Sequence, residues 1–489
     1  MKARLSFVGA VLLISSTSFA ADTLSTAISE GKFTGGVRAL YTNVNFENGG
    51  AFEDRYAIGA GLRLSYETAP LYGITAKVSM FSASGMGLNS SNANKVDSVY
   101  FENKQIGGTT TNSVYGTSAD SYAVLGEAYL KAAFGKTFVQ VGRMQIDAPF
   151  ASSHDIYLVP NTFEAAQIVN VNIPNTTLVL AHASKMSGPD MVQSNSFAGS
   201  TVGIKASDFV SISRASAFQG LADGDGKLNT EKDTIGATVA GGIYTGFEGL
   251  VLQAWYTRVW DIMDMPHLQI DYNTKVGDIG VFAGAQWATQ SAIGGTKETL
   301  DKHIDPALIA LNIKNIDAKH TEAKIGGSYK GATVTLAYAN TIGEDENAAR
   351  GGFVSPVGGN PSWVRTRYQS PHFGYTDTSC YTGGTNAYSI GAEYDFASVG
   401  VNGLKSELKY LHFSRDGKYS GLLTQGLLIY KPNAFNDTDA IEASVDYKSL
   451  FGMKGLDGGV TLLSVDNKDA VGKQSTDHTD LRVAVNLAF

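Results

Sequence analysis

The segment RYAIGAGLRLSYET (55–68) alternates strictly. Tyr56, Ile58, Ala60, Leu62, Leu64 and Tyr66 fall on one side; Arg55, Ala57, Gly59, Gly61, Arg63, Ser65 and Glu67 fall on the other. A period of two is that of a β-strand with one apolar and one polar face. The next segment repeats it, with Tyr72, Ile74, Ala76, Val78 and Met80 against Gly73, Thr75, Lys77 and Ser79. The chain ends in the same way, in DLRVAVNLAF, where Leu481, Val483, Val485, Leu487 and Phe489 oppose Asp480, Arg482, Ala484, Asn486 and Ala488. Along the whole chain the pattern predicts eighteen strands, at 33–46, 55–68, 71–84, 119–133, 136–146, 163–172, 176–185, 234–244, 250–260, 265–275, 278–290, 321–330, 332–341, 387–396, 403–414, 437–448, 457–467 and 479–489.

The connections carry a second pattern. After every even strand comes a brief turn: AP, FGK, IPN, TGFEG, VGD, KG, ASVGVNG and SLFGMKGLDG. Most odd strands are followed by a longer polar stretch, such as 85–118, 186–233, 291–320 and 342–386. Aromatic residues recur near strand ends, and the strands run to about ten residues or more, as tilted membrane strands do. These features predict an all-β fold, a transmembrane antiparallel β-barrel with short periplasmic turns and long extracellular loops. A soluble sandwich or β-helix is the rival; many soluble strands are shorter, and no repeat of a solenoid's length stands out. The stretch 186–233 has room for one more hairpin, around STVGIKASDFVSISRASAF. A short turn of helix is expected within 22–32, and the last strand is expected to pair with the first near FTGGVRALY, leaving no edge.

Composition then limits the context. The 489 residues open on Lys2 and Arg4, an apolar run from Phe7 to Ile14, and Ser18-Phe19-Ala20. That order predicts a signal peptide over 1–20, cleaved after Ala20, and a single barrel domain over 21–489. No later run approaches the 18 apolar residues of a membrane helix. Glycine (55), tyrosine (23) and phenylalanine (23) are abundant and proline (11) is scarce, which suits an outer-membrane barrel. Removing Lys2 and Arg4 with the signal takes the formal charge from −8 to −10, which argues against nucleic acid. Cys380 is alone, so no disulfide can form within the chain. The eight histidines show no HxxxH or HxH pair, so neither a zinc site nor any cofactor is expected. No GxSxG elbow occurs, and an enzyme is not expected.

Three loops hold candidate chemistry. LADGDGKLNTEKD (221–233) has Asp223, Asp225 and Gly226 where a calcium loop would, but Leu221 and Lys232 stand at its first and last ligand positions. A solvated loop tip is the favoured reading. In SPVGGNPSWVRTRYQSPHFGY, Trp363, Arg365, Arg367, His372 and Tyr375 could touch a ligand or pack loop on loop; packing is preferred. The stretch 141–170 joins two strands through a proline-punctuated loop with Arg143, Asp147, His154, Asp155, Tyr157 and Glu164. Folded into the lumen at about 147–162, it would set Asp147, Asp155 and Glu164 against wall bases, with Arg143 near their base, as a charge-screening constriction. The alternative is an ordinary external loop with solvated charges. Alternation puts Arg55, Arg63 and Lys77 on lumen faces, Arg38 less cleanly because Leu40 shares its face, and Glu127 and Lys131 on the inward face of the fourth strand.

The residues of 142–165, GRMQIDAPFASSHDIYLVPNTFEA, resemble the third-loop signature of the OprD-type porin family. Gly142-Arg143, Pro149, Ser153-His154-Asp155, Leu158-Val159-Pro160 and Asn161-Thr162-Phe163-Glu164 stand in its places. GGVRALYTNVNFE is similar to the family's first strand, and YSIGAEYDFASVGVNGLKSELKYLHF to a strand–turn–strand near its C-terminus. The style is similar to members from Campylobacter-like bacteria. The sequence departs at Tyr157, where many members carry arginine. The resemblance implies an eighteen-stranded barrel passing small hydrophilic solutes and ions, a third loop that narrows the pore, and bases opposite its acids. It implies outer-membrane lipid, lipopolysaccharide and the barrel-assembly machinery as partners, the last reading a terminal aromatic such as Phe489. Monomer and homotrimer both fit. An enzyme or adhesin on the same barrel is the alternative.

Overall fold

The computed structural model describes residues 21–46, 54–89, 121–188, 207–212, 223–226, 234–302, 304, 306, 314–343, 352–353, 357–359, 361–367, 380–381, 383–415, 421–424, 429–432, 437–468 and 477–489. The expected signal peptide lies outside the described residues, as do His372 and Tyr375. A short helix α1 (Leu24–Ser29), capped by the Thr23 hydroxyl, leads into the first strand.

Eighteen strands follow: β1 Lys32–Phe46, β2 Arg55–Glu67, β3 Ile74–Ser84, β4 Tyr122–Phe134, β5 Thr137–Met144, β6 Thr162–Asn170, β7 Thr176–Ser187, β8 Ala237–Phe247, β9 Leu250–Val259, β10 Met263–Val276, β11 Ile279–Ala292, β12 Asp317–Tyr329, β13 Ala332–Gly343, β14 Thr385–Asp395, β15 Leu404–Arg415, β16 Asp437–Tyr447, β17 Leu456–Lys468 and β18 His478–Ala488. Each pairs antiparallel with its neighbours in sequence. β1 also pairs with β18, from Gly36 opposite Ala488 to Phe46 opposite His478, and the sheet closes. Phe489 extends the seam: its N–H donates to the Gly35 carbonyl at 2.9 Å and its carbonyl accepts from Gly35 N–H at 2.8 Å. Closure gives every barrel strand a neighbour on both sides, so the sheet has no edge strand.

The alternation sorts the faces as the pattern predicts. Leu130, Ile168, Leu180, Leu268, Ile325, Leu336, Ile390, Leu408 and Ile441 all point out and are exposed. Phe33, Phe134, Phe247, Tyr272 and Tyr329 ring the short-turn end; Tyr256, Trp260, Tyr338, Tyr388 and Tyr410 ring the other. The short turns use tight hairpin geometry. Lys330 (φ 43°) and Gly331 (φ 88°) are both left-handed, the conformation that matches strand twist.

Several details differ from the sequence expectation. The third strand starts at Ile74 rather than 71, because Tyr72 (φ 50°) and Gly73 (φ 81°) form a turn closed by Leu71 and Ile74. β9 and β10 are joined by only Trp260–Ile262, although that end carries the long loops. Within 186–233, Val210–Ser211 pairs with the end of β7 but adds no barrel strand. The β11–β12 loop contains a helix, α2 (Gly294–Lys302), which docks on the Asp223–Gly226 turn. There the Lys302 ammonium donates to the Gly224 carbonyl, so a cation is already supplied to the segment that resembles a calcium loop.

Candidate functional site

The largest buried side chains lie inside the barrel: Tyr157, Phe150, Phe163, Met144 and Leu158 come from the β5–β6 loop and its flanks, Phe81 from β3. This loop is a compact unit. Asp147–Ala148 and Ala151–Ser152 form a miniature hairpin. The Asp147 carboxylate accepts from Ser152 Oγ at 2.8 Å and Ser153 N–H at 3.1 Å. Ser153 Oγ accepts from Ile146 N–H at 3.0 Å, and its carbonyl accepts from Asn161 N–H at 2.8 Å. The loop lies against the inner face of β2, where Gly61 allows the approach. A Cβ at position 61 would stand 2.6 Å from the Leu158 carbonyl oxygen.

Three arginines hold the loop to the wall. Arg38 of β1 reaches Asp155 Oδ1 at 2.8 Å and donates to the Tyr157 carbonyl, while its Nε is held by Asn486 of β18 at 2.7 Å. Arg63 of β2 forks onto the same carboxylate, with Nη1 2.6 Å from Asp155 Oδ2 and Nη2 on Oδ1. Arg482 of β18 donates to the Ile156 carbonyl. Burial pushes the Asp155 carboxyl up, but the bonds and charges of Arg63 and Arg38 outweigh it and its pKa falls to about 2. The carboxylate keeps 36 % of its side-chain surface open.

A second loop, between β13 and β14, continues the structure across the barrel. Ala151 bridges to Val357, with Ser152 N–H on the Val357 carbonyl at 3.2 Å, and Phe150 packs on Phe353 with ring centroids 5.0 Å apart. Beyond them Pro361 accepts from Gln286 of β11 at 2.6 Å. Trp363 N–H donates to Glu322 of β12 at 2.7 Å, and Arg367 N–H to Glu442 of β16 at 2.6 Å. The Arg367 guanidinium pairs with Asp446. Lys324 sits 4.0 Å over the Trp363 ring and 2.6 Å from Asp271. The two joined loops thus run from β1, β2 and β18 to β11, β12 and β16. Trp363 and Arg367 pack the loop onto the wall, where the sequence reading prefers loop on loop.

The described residues singled out from sequence take the following places. Arg38, Arg63 and Asp155 come together. Lys77 pairs with Glu127 at 2.8 Å and Lys131 with Glu67 at 3.1 Å, all on the inner wall. The Arg55 side chain lies outside the described residues. Asp147 turns its carboxylate into its own loop. His154 occupies a left-handed turn position (φ 43°) with its ring edge-on to Tyr157. Tyr157 is 2 % exposed, its ring packed in the loop core rather than lining a passage. Arg143 and Glu164 do not belong to a constriction. They stand opposite each other on β5 and β6, next to the inward pair Met144 and Phe163, so they face outward. There Arg143 binds Glu164 at 2.9 Å, Lys185 joins at 3.1 Å, and Phe209 lies 4.0 Å over the guanidinium. Their place follows from strand alternation that starts at Thr162, not from the loop. Sequence reasoning puts Arg482 and Asn486 on a lumen face without giving them a role, and it passes over Asp271, Lys324, Glu322 and Asp446, all on inward alternation positions.

The family model described as outer membrane porin, OprD family, matches residues 27–420. No curated protein matches the chain. Among solved structures it is similar to Pseudomonas aeruginosa OccK8 (OprE), with 18 % identity, TM-score 0.65, and 94 % of this chain and 98 % of that one covered. It is similar to P. aeruginosa OccK9 (OpdG), with 17 % identity, TM-score 0.67 and coverage of 95 % and 99 %. It is also similar to P. aeruginosa OpdK, solved with vanillate, with 14 % identity, TM-score 0.63 and coverage of 94 % and 99 %. A closed eighteen-stranded barrel with inward loops and a family match over most of its length make this chain a member of the OprD family of outer-membrane porins, channels for small solutes.

Proposed function

We propose that the two joined loops form the narrow zone of a passive diffusion channel, and that the Arg38–Asp155–Arg63 clasp sets its ion preference. One observation carries this. Two guanidinium groups from adjacent strands converge on a single carboxylate that still meets pore water. Arg482 of β18, bonded to the loop beside them, adds a third guanidinium to that face. Across the interior, Asp271, Glu322, Glu442 and Asp446 outnumber Lys324 and Arg367. A field across the lumen would orient dipolar solutes and favour those with a carboxylate on the arginine side. OpdK's solved complex with vanillate, a carboxylate, supports the same class by analogy. The charges work here as clasps and as a field, with no enzymatic step. We infer outer-membrane lipid and lipopolysaccharide as surroundings, the barrel-assembly machinery as a transient partner, and a monomer or homotrimer as the working unit.

Purified, refolded protein in a planar bilayer tests the reading. Discrete conductance steps are expected, and their absence overturns it. In a salt gradient, Asp155→Asn frees the arginines and should move the reversal potential toward anions. An unchanged potential removes Asp155 from the selective zone.

A further inference from the structure

A compact group of ligand atoms lies on the inner wall away from the arginines. His320 Nε2, a Glu322 oxygen and Cys380 Sγ lie within 4.8 Å of one another, and all three residues are buried. Glu322 Oε1 is 2.7 Å from His320 Nε2 and 3.6 Å from Cys380 Sγ. The surrounding hydrogen bonds fix what these atoms present. Thr341 Oγ1 gives its only proton to the Cys380 carbonyl at 2.6 Å, so it must accept from His320 Nδ1 at 2.7 Å. One imidazole proton is therefore on Nδ1, so Nε2 is the nitrogen that can carry either a second proton or a metal. Glu322 Oε2 is taken by Gln286 Nε2 at 2.8 Å and Trp363 N–H at 2.7 Å. Nε2 and Oε1 therefore meet each other at 2.7 Å, a contact that either a proton or a metal cation must bridge, and a sulfur lies beside it.

We propose that His320 Nε2, Glu322 Oε1 and the Cys380 thiolate bind one divalent cation of the zinc class. Imidazole with thiolate selects a borderline-soft metal over calcium or magnesium, which take oxygen shells. Zinc bond lengths at a tetrahedral angle put sulfur and oxygen about 3.6 Å apart and nitrogen and oxygen about 3.4 Å apart. The Cys380–Glu322 distance already fits; His320 would withdraw by about 0.7 Å to admit the metal. Thr341, Gln286 and the Trp363 amide form the outer shell that aims such ligands. Cys380 and Trp363 belong to the β13–β14 loop, while His320 and Glu322 belong to β12, so the ion staples the inner loop to the wall. The spacing His320-x-Glu322 with a cysteine far along the chain matches no familiar zinc motif, which is why the sequence argues against a site.

The test uses the full chain refolded in detergent with cobalt or zinc, folding being followed by heat-modifiable gel mobility. Folded wild type should hold one zinc per chain and show a thiolate-to-cobalt charge-transfer band. Cys380→Ser should lose the band, and Thr341→Val should weaken zinc by about 10–100-fold. Folded wild type with no band overturns the site whatever the variants do, and leaves a buried imidazolium–carboxylate pair in its place. A band that survives in Cys380→Ser also overturns it.

Discussion

Asp155 decides how the inner loop answers to pH. Its folded pKa of about 2 lies below the ordinary carboxylate value of 3.8. A lowered carboxylate pKa stabilises the docked loop fully above the ordinary value, and the contribution is lost as pH falls through the folded value. The difference in reversal potential between wild type and Asp155→Asn should therefore persist unchanged from pH 7 to about pH 4 and vanish only near pH 2. A difference that fades between pH 4 and 5 would mean that the carboxylate is not clasped. Alternation alone placed Arg38 and Arg63 on the lumen side, because a strand's period fixes its faces. It could not place Asp155, whose position depends on loop folding 92 residues from Arg63 in sequence. Glu164 shows the opposite failure. Its sequence groups it with the loop motif that precedes it, but β6 has begun at Thr162 and the pleat turns residue 164 out.

At the scale of elements, loop docking rests on a missing side chain as much as on charge. Gly61 faces in and meets the Leu158 backbone, which cannot swing aside as a side-chain end can. Gly61→Val should displace the β5–β6 loop while the β2 ladder survives, since valine suits a strand. Single-channel conductance should rise, with heat-modifiable mobility retained. A normal conductance would show that the loop adapts and that Gly61 is not its seat. The eighteen strands were legible because each repeats one short-range rule. The crossing by the β13–β14 loop was not, because its contacts to Glu322, Glu442 and Asp446 are tertiary and its text reads only as turns. Helix α2 was missed for a related reason: its buried Thr296, Thr299 and Leu300 give a polar-looking sequence whose packing face exists only against the Asp223–Gly226 turn.

The whole molecule is organised inside out, and that makes a sharp stability prediction. Ile325, Leu336 and Ile390 stand side by side across β12, β13 and β14, each about half exposed. In water such a band would leave the hydrophobic effect unused and invite association. In a bilayer it is the solvated surface, while the closed β1–β18 seam leaves no free edge strand in the sheet. Leu336→Arg should then cost about 2–4 kcal/mol in a urea titration of folding into lipid vesicles, because a charge near the midplane meets hydrocarbon. Thr335→Arg, one residue away on the water side, should stay near wild type. A soluble β-protein would give the reverse ranking: arginine at an exposed position is tolerated, and arginine on the packed face is not. Equal stability of the two variants would contradict the assignment of faces on which the barrel, its lumen clasp and its inner loops all depend.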